Sequence, residues 1–258
     1  MLKKRDYLLN FLNLYNIFIC PICHKELNNE NNALRCENNH TFDYTAKGTI
    51  NLIKTSNYKS SPIYNKELFY NRRSFIKNNF YYDVYVEIIK ILNNTNYSSM
   101  SILDVGCGES THSMLILEHF KKNYIYYGFD YSSDAINIAS DYISDNNVFF
   151  KASVDNIPIK DNSIDVILDF LSPYNEKEFH RVLKKDGIII KISPSSNYLK
   201  ELRTIANLGE YQKEKEVYNT IENRFEVLDK KTICKTFSIN KEQSIQLIKM
   251  TPMNNLSE

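Results

Sequence analysis

Three cysteines and one histidine near the start of the chain have the types and spacing of a metal site. Cys20 and Cys23 form a C-x-x-C pair, and Cys36 and His40 follow after a polar stretch. Thiolate sulfur and imidazole nitrogen are the usual ligands of Zn²⁺ in a tetrahedral site. Because four protein ligands leave no open coordination position, the pattern predicts a structural zinc rather than a catalytic one.

A second motif, Asp104-Val105-Gly106-Cys107-Gly108-Glu109, predicts a ligand-binding turn. It ends an apolar stretch and precedes a helical pattern over residues 111–121. Its two glycines permit a sharp turn and let the backbone approach a ligand closely, because no Cβ stands in the way. The third glycine of the dinucleotide fingerprint is missing, so a pyrophosphate is not the favoured ligand. The alternative is a plain strand-to-helix turn.

Two later polar positions fall in register with this turn. Asp130 stands two residues after Gly128, at the end of the second predicted strand. A carboxylate at this place can accept hydrogen bonds from both hydroxyls of a ribose. Ser153 lies in the polar loop 150–158, which can meet the edge of an adenine. Because the carboxyl ends of parallel strands share one edge of a sheet, we expect these groups to surround the glycine turn.

The glycine loop, the acid after the second strand and the polar loop after the third together resemble the class I S-adenosylmethionine-dependent methyltransferases. Residues 179–187 (FHRVLKKDG) are similar to the R-V-L-K-P-G-G turn of that superfamily. The resemblance implies a Rossmann-like α/β sheet and S-adenosylmethionine as the methyl donor.

With the zinc pattern added, residues 18–252 resemble the 23S rRNA guanine-N1 methyltransferases, which include housekeeping enzymes and members conferring macrolide resistance. The segments 72–76 (RRSFI) and 246–252 (QLIKMTP) carry part of this resemblance. It implies a loop guanine of 23S rRNA as the substrate, approaching residues 171–174 (LSPY), and a possible homodimer. It implies zinc ligation by Cys20, Cys23, Cys36 and His40, and donor binding by Tyr81, Asp104, Gly106, Gly108, Glu109, His112, Ser113, Asp130, Tyr131, Ser153 and Tyr198.

Three features depart from the family pattern. Ser110 stands where the family has glycine, which is tolerated if its φ is negative. Tyr198 stands where the family has a donor-contacting histidine. The family continues after Met250-Thr251-Pro252 with a helix and a final antiparallel strand, for which this sequence offers no candidate. We therefore expect a sheet that lacks its seventh strand, and this weakens the expectation of activity more than that of the fold.

The elements that must position these residues follow from the hydrophobic pattern. From residue 101, apolar strands alternate with helical stretches, which predicts a parallel sheet covered by helices. Residues 225–239 are expected to form a further strand or hairpin, and 241–250 a short helix. The predicted organisation is an N-terminal helix and zinc module over 1–53, a linker and helices over 54–100, and a methyltransferase domain over 101–258.

Composition restricts where and on what the protein acts. The 258 residues carry 32 basic and 31 acidic side chains, so net charge gives no general attraction to nucleic acid or membrane. The chain has five cysteines, an odd number, and three of them have the spacing of a metal site. This fits a reducing cytoplasm better than a secreted protein held by disulfides. Asparagines interrupt the apolar stretch 7–19, which favours a helix over a signal peptide. No stretch reaches the ~20 apolar residues of a membrane span.

Other interpretations stay open from the sequence. The protein could methylate a small molecule or a protein, with the zinc module only bracing the fold, or it could be a non-catalytic member that binds without turnover. Asp169 is a proton-acceptor candidate by position only, or a strand-end carboxylate bound to backbone, and no catalytic residue is assigned. A basic and aromatic set could hold RNA phosphates or form a solvated face: Lys47, Lys54, Tyr58, Lys59, Arg72 and Arg73.

Overall fold

The computed structural model of the protein describes residues 2–53, 62–209, 211 and 214–251. The helices are α1 (Lys4–Tyr15), α2 (Lys66–Ile76), α3 (Tyr82–Asn94), α4 (Thr111–Glu118), α5 (Ser133–Ala139), α6 (Glu176–Val182), α7 (Lys200–Ile205), α8 (Glu214–Glu222) and α9 (Lys241–Met250). The strands are β1 (Asn28–Glu30), β2 (Ala33–Arg35), β3 (Thr41–Asp43), β4 (Ile50–Asn51), β5 (Ser99–Val105), β6 (Asn123–Asp130), β7 (Asn147–Lys151), β8 (Ile164–Phe170) and β9 (Leu183–Ile192).

The predicted parallel sheet is confirmed. Its strands lie in the order β4-β7-β6-β5-β8-β9, and all neighbouring pairs are parallel. The chain moves outward from β5 through β6 and β7, then crosses to β8 and β9 on the other side. This reversal places a topological switch point at the carboxyl ends of β5 and β8, where ligands of such sheets bind. Within the described residues β9 pairs only with β8, so it forms one edge of the sheet.

The N-terminal module shares a core with this sheet. Strands β1, β2 and β3 form a small antiparallel sheet, and β4 then pairs with β7 in the main sheet. The fully buried Phe18 packs edge-on against Phe150 of β7, with 5.0 Å between ring centroids. Phe11 of α1 packs edge-on against Tyr127 of β6 at 5.2 Å. The module is therefore held to the sheet by aromatic packing as well as by a strand.

The prediction of a strand or hairpin over residues 225–239 is wrong. Among the described residues the segment has no ladder partner, and it lies alongside α3 instead. Its Lys235 ammonium lies 2.7 Å from Asp83, its Lys231 ammonium lies 2.6 Å from Glu87, and the ring of Phe237 meets that of Phe80 edge-on. Most of its side chains are exposed, because its charged residues leave no continuous apolar face to bury.

The helix predicted over 241–250 is confirmed as α9. It begins with a capping box in which Asn240 and Gln243 exchange side-chain-to-backbone hydrogen bonds. Leu247 and Met250 pack against Phe75 of α2. The N-terminal helix predicted within residues 7–19 begins earlier, at Lys4, and ends at Tyr15. No helix in the described ranges is long and apolar enough to cross a membrane.

Candidate metal centre and active site

The four predicted metal ligands converge at one point. His40 Nδ1 lies 3.4 Å from Cys20 Sγ and 3.4 Å from Cys36 Sγ, and Cys23 Sγ lies 3.7 Å from Cys36 Sγ. A tetrahedral Zn²⁺ with ordinary bond lengths requires sulfur–nitrogen and sulfur–sulfur edges of about 3.6 and 3.8 Å. All four ligand atoms lie within 4.8 Å of one another. The donor set therefore fits zinc in both chemistry and size.

The protein favours the thiolate form of Cys23 and disfavours that of Cys20. A hydrogen bond from the Lys25 backbone lowers the pKa of Cys23 to about 6, whereas burial raises the pKa of Cys20 to about 11. A coordinated zinc ion deprotonates its thiol ligands outright, so both would serve as thiolates. The C-x-x-C turn is also tied to the loop after β7, since the Asn156 amide donates to the Pro21 carbonyl at 2.8 Å.

The glycine turn after β5 has the backbone that only glycine adopts without strain. Gly106 and Gly108 have φ of +64° and +56°. A Cβ on Gly106 would lie 2.6 Å from the Cβ of Ser172, so the turn packs directly against the segment after β8. The Gly108 amide donates to Asp130 Oδ2 at 3.0 Å, which joins the turn to the end of β6.

Asp130 is held by backbone on both oxygens, because the Ser132 amide donates to Oδ1 at 2.7 Å. Burial raises the pKa of this carboxyl, and its hydrogen bonds and the nearby Arg72 guanidinium oppose that rise. The carboxylate is thus fixed at the carboxyl end of β6, which is the position that the sequence predicts for a ribose-binding acid.

Asp104 and Ser113 meet behind the turn rather than at its surface. The Ser113 hydroxyl and the Tyr126 hydroxyl both donate to Asp104 Oδ2, the latter at 2.5 Å. All three side chains are almost fully buried, and burial raises the pKa of Asp104 to about 7. This cluster braces the start of α4 against β5 and β6.

A cluster of aromatic rings lies beside the start of α4, directly after the glycine turn. The Tyr81 and Tyr198 hydroxyls lie 3.1 Å apart, and Tyr81 meets the His112 ring edge-on at 4.8 Å. His112 stacks on Phe170 at 4.1 Å, and its Nδ1 lies 2.6 Å from the Tyr85 hydroxyl. Burial lowers the pKa of His112 to about 3, so the ring is neutral at physiological pH.

Three other predicted donor residues flank the turn. Glu109 follows Gly108 and is buried, with no hydrogen-bond partner for Oε1 among the described residues. Tyr131 follows Asp130 and is 41% exposed. Ser153 follows β7, where its hydroxyl accepts from the Asp155 amide at 3.2 Å.

Sequence reasoning missed the position of Arg72. One of its guanidinium nitrogens would lie 3.5 Å from a Cβ on Gly108, so α2 places this cation over the glycine turn rather than on an open basic surface. Arg73 is also engaged, since it donates to Asp141 at 2.9 Å and to the Ile138 carbonyl at 2.8 Å. Lys54, Tyr58 and Lys59 of the same predicted set lie outside the described residues. The sequence alone does not distinguish the surroundings of Arg72 from those of Arg73, because they depend on how α2 packs.

Ser110 has a φ of +61°. Serine fits this position without strain only if its φ is negative, so the backbone of Ser110 is strained. We expect Ser110→Gly to raise the free energy of unfolding by roughly 0.5–1 kcal/mol, because relief of the left-handed backbone outweighs the added chain entropy of glycine. Urea denaturation measures the change. The control Ser110→Ala keeps the strained backbone and loses the hydroxyl, so it should not stabilise. Equal stability of the glycine and alanine variants would contradict the strain argument.

Two family models match the chain. The model described as "Methyltransferase domain" covers residues 96–248, and the zinc-ribbon model described as "RlmA, N-terminal" covers residues 18–61. The first range contains the glycine turn and Asp130, and the second contains all four metal ligands. The two matches thus fall on the two sites that the geometry defines.

Two relatives are similar to the chain over most of its length. YxjB of Bacillus subtilis strain 168, assigned by inference as a 23S rRNA (guanine-N1)-methyltransferase, is 35% identical over 73% of this chain and 68% of its own length. The 23S rRNA (guanine(748)-N1)-methyltransferase of Streptomyces fradiae is 21% identical over 93% of this chain and 86% of its own length. The similarity to both extends over the greater part of each protein.

Proposed function

The chain belongs to the 23S rRNA (guanine-N1)-methyltransferase family, and we propose on that basis that it transfers a methyl group from S-adenosylmethionine to N1 of a loop guanine in 23S rRNA. One observation carries the proposal. A Cys₃His cluster and a glycine-rich turn at the switch point of the sheet share one hydrophobic core. The zinc would hold the module in shape, and the chemistry would take place at the carboxyl ends of β5 and β8.

The residues around the turn suit the parts of S-adenosylmethionine. When bound, this donor supplies a methyl group on a positively charged sulfur. The glycine turn would present its backbone to the donor's chain at the carboxyl end of β5, Asp130 is placed for the ribose hydroxyls, and the rings of Tyr81 and Tyr198 suit a sulfonium cation. The remaining predicted donor residues, Asp104, Glu109, His112, Ser113, Tyr131 and Ser153, would support or border this pocket.

The protein's main contribution would be alignment and exclusion of water, since the sulfonium is already a reactive methyl source. A guanine in a single-stranded loop can leave its stack and enter a protein pocket, whereas a paired guanine exposes N1 only after unpairing. The N1 proton must be lost as the new N–C bond forms. No residue is assigned as its acceptor.

The test is transfer of tritiated methyl from the donor to 23S rRNA that lacks the modification, followed by mapping of the labelled base. We expect label on N1 of a single guanine in a loop. Label on adenine or cytosine, or label only on a protein or small molecule, would exclude the proposed specificity.

Arg72 gives a prediction for donor binding. We propose that its guanidinium binds the donor's carboxylate, because it lies over Gly108 and because Arg recognises carboxylates with paired hydrogen bonds. Arg72→Met should weaken donor binding by about 10–100-fold, which corresponds to about 1.4–2.7 kcal/mol. Calorimetric titration measures the dissociation constant. The matched control is Arg73→Met, whose native partners are Asp141 and the Ile138 carbonyl. Equal weakening by both variants would show that the loss comes from α2 rather than from a carboxylate contact.

Four finer points belong to the same proposal. The protein would act in the cytoplasm, where its RNA substrate is. Pairing of two copies into a homodimer is tested by light scattering. Protection against macrolides is tested by expressing the gene in a sensitive host. The proposed domain limits are 1–53, 54–100 and 101–258.

A further inference from the structure

A buried ion pair lies where β8 and β9 end. Asp169 is fully buried, and its Oδ1 lies 2.8 Å from the Lys191 ammonium, whose side chain is 13% exposed. The two residues are direct neighbours across the strands. Burying two charges is expensive, and Asp169 Oδ2 has no hydrogen-bond partner among the described residues. The pair is therefore poorly arranged for stability alone, which points to a role in geometry.

The pair contacts the turn that follows β8. The Lys191 ammonium donates to the Ser172 carbonyl at 2.6 Å. The Ser172 hydroxyl lies 2.6 Å from Asp169 Oδ1 and 2.5 Å from the Val105 carbonyl at the end of β5. These contacts connect the ends of β5, β8 and β9 through one serine, directly beside Gly106.

Leu171, one of the two residues between Asp169 and Ser172, has a strained backbone. Leu171 has a φ of +56°, a left-handed conformation that a branched side chain adopts only when its surroundings impose it. Its amide donates to the Ile192 carbonyl at 3.0 Å, and its side chain is 36% exposed. The contacts that impose this conformation thus hold an exposed apolar side chain at the carboxyl edge of the sheet, next to the glycine turn.

We propose that Asp169 and Lys191 are positioning residues that lock the 171–174 turn against the donor loop, so that Leu171 and its neighbours form a fixed seat for the target base. The inference rests on the proposed function, because the seat has a purpose only if a second reactant must be aligned with the donor. The pair acts through Ser172 and Leu171 and does not touch the reacting atoms.

The same two strands offer a matched control. Asp165 and Lys184 form a second ion pair between β8 and β9, with 2.9 Å between charged atoms. Asp165 lies four residues before Asp169, which is about 13 Å along a strand. A purely structural role for interstrand charge pairs predicts similar effects at both places.

The experiment compares Asp169→Asn and Lys191→Met with Asp165→Asn and Lys184→Met. We expect the first two to lower kcat for 23S rRNA methylation by 10–100-fold with the donor's dissociation constant changed less than threefold, and the controls to stay within twofold in kcat. Lys191→Arg should recover most of the rate lost in Lys191→Met. Equal kcat losses in both pairs, or a loss seen only in donor affinity, would overturn the proposal.

Amide hydrogen exchange separates this inference from the proposed function, because it needs no substrate. Exchange at Leu171 and Ser172 should rise at least tenfold in Asp169→Asn and stay unchanged in Asp165→Asn. If the wild-type protein methylates no RNA, the proposed function fails, while the exchange comparison still decides whether the pair locks the turn. Unchanged exchange in Asp169→Asn would refute the lock even in an active enzyme.

Discussion

Replacing Cys36 with serine is expected to abolish stoichiometric zinc binding and to lower the stability of the whole protein. Cys36 is almost fully buried, and its sulfur lies within 3.7 Å of two other ligand atoms, so its replacement removes one of the four ligands of the cluster. We expect a loss of roughly 3–5 kcal/mol in the free energy of unfolding, a fraction of the about 10–16 kcal/mol with which zinc-finger peptides bind their metal. The loss is smaller than in an isolated finger because the module also packs on the sheet. Metal analysis and urea denaturation measure the two effects.

The control for this prediction is Cys234→Ser. Cys234 is exposed and lies outside the cluster, so its replacement should change stability by less than about 0.5 kcal/mol and leave the zinc content intact. A Cys36→Ser protein that retained one equivalent of zinc would show that the ligand set is wrong. Loss of zinc without loss of stability would show that aromatic packing around Phe18 is sufficient to hold the module.

Local spacing was enough to predict both the metal cluster and the glycine turn. C-x-x-C and the Cys36–His40 pair each fit within a single turn of chain, so their geometry depends on few other residues. The parallel sheet followed from the alternation of strands and helices, which reflects burial on both faces. In these parts of the chain, local pattern and tertiary structure agree.

Packing between distant segments was not predictable in the same way. Phe170 and Tyr85 join His112 in an aromatic cluster although α3, α4 and β8 are far apart in sequence. The ion pair of Asp169 and Lys191 depends on the register of two strands, which composition does not determine. The segment 225–239 has residues of high strand propensity but no free apolar face to bury, so tertiary context overrides propensity there.

Gly106→Ala should have the largest effect on the candidate active site. An alanine there must adopt a left-handed φ of +64°, and its Cβ would lie 2.6 Å from the Cβ of Ser172. The backbone conformation alone costs about 1–2 kcal/mol, and the clash forces either the glycine turn or the 171–174 turn to move. We expect the free energy of unfolding to fall by roughly 2–4 kcal/mol, within the range of strain and overpacking effects. Donor binding should fall below detection in calorimetry, because the left-handed strain lies in the glycine turn itself, which is the turn that must approach the donor.

Gly209→Ala separates backbone strain from the clash. Gly209 has the same φ of +64°, but a Cβ there would have no atom of the described residues within 4 Å. Its alanine variant should therefore lose only the backbone contribution, about 1–2 kcal/mol or less, and should bind the donor normally. If the two variants lost the same stability and Gly106→Ala still bound the donor, close contact between the glycine turn and Ser172 would have no role in forming the site. A larger loss at position 106, accompanied by loss of binding, would show that the glycine turn must keep its native path for the donor to be held.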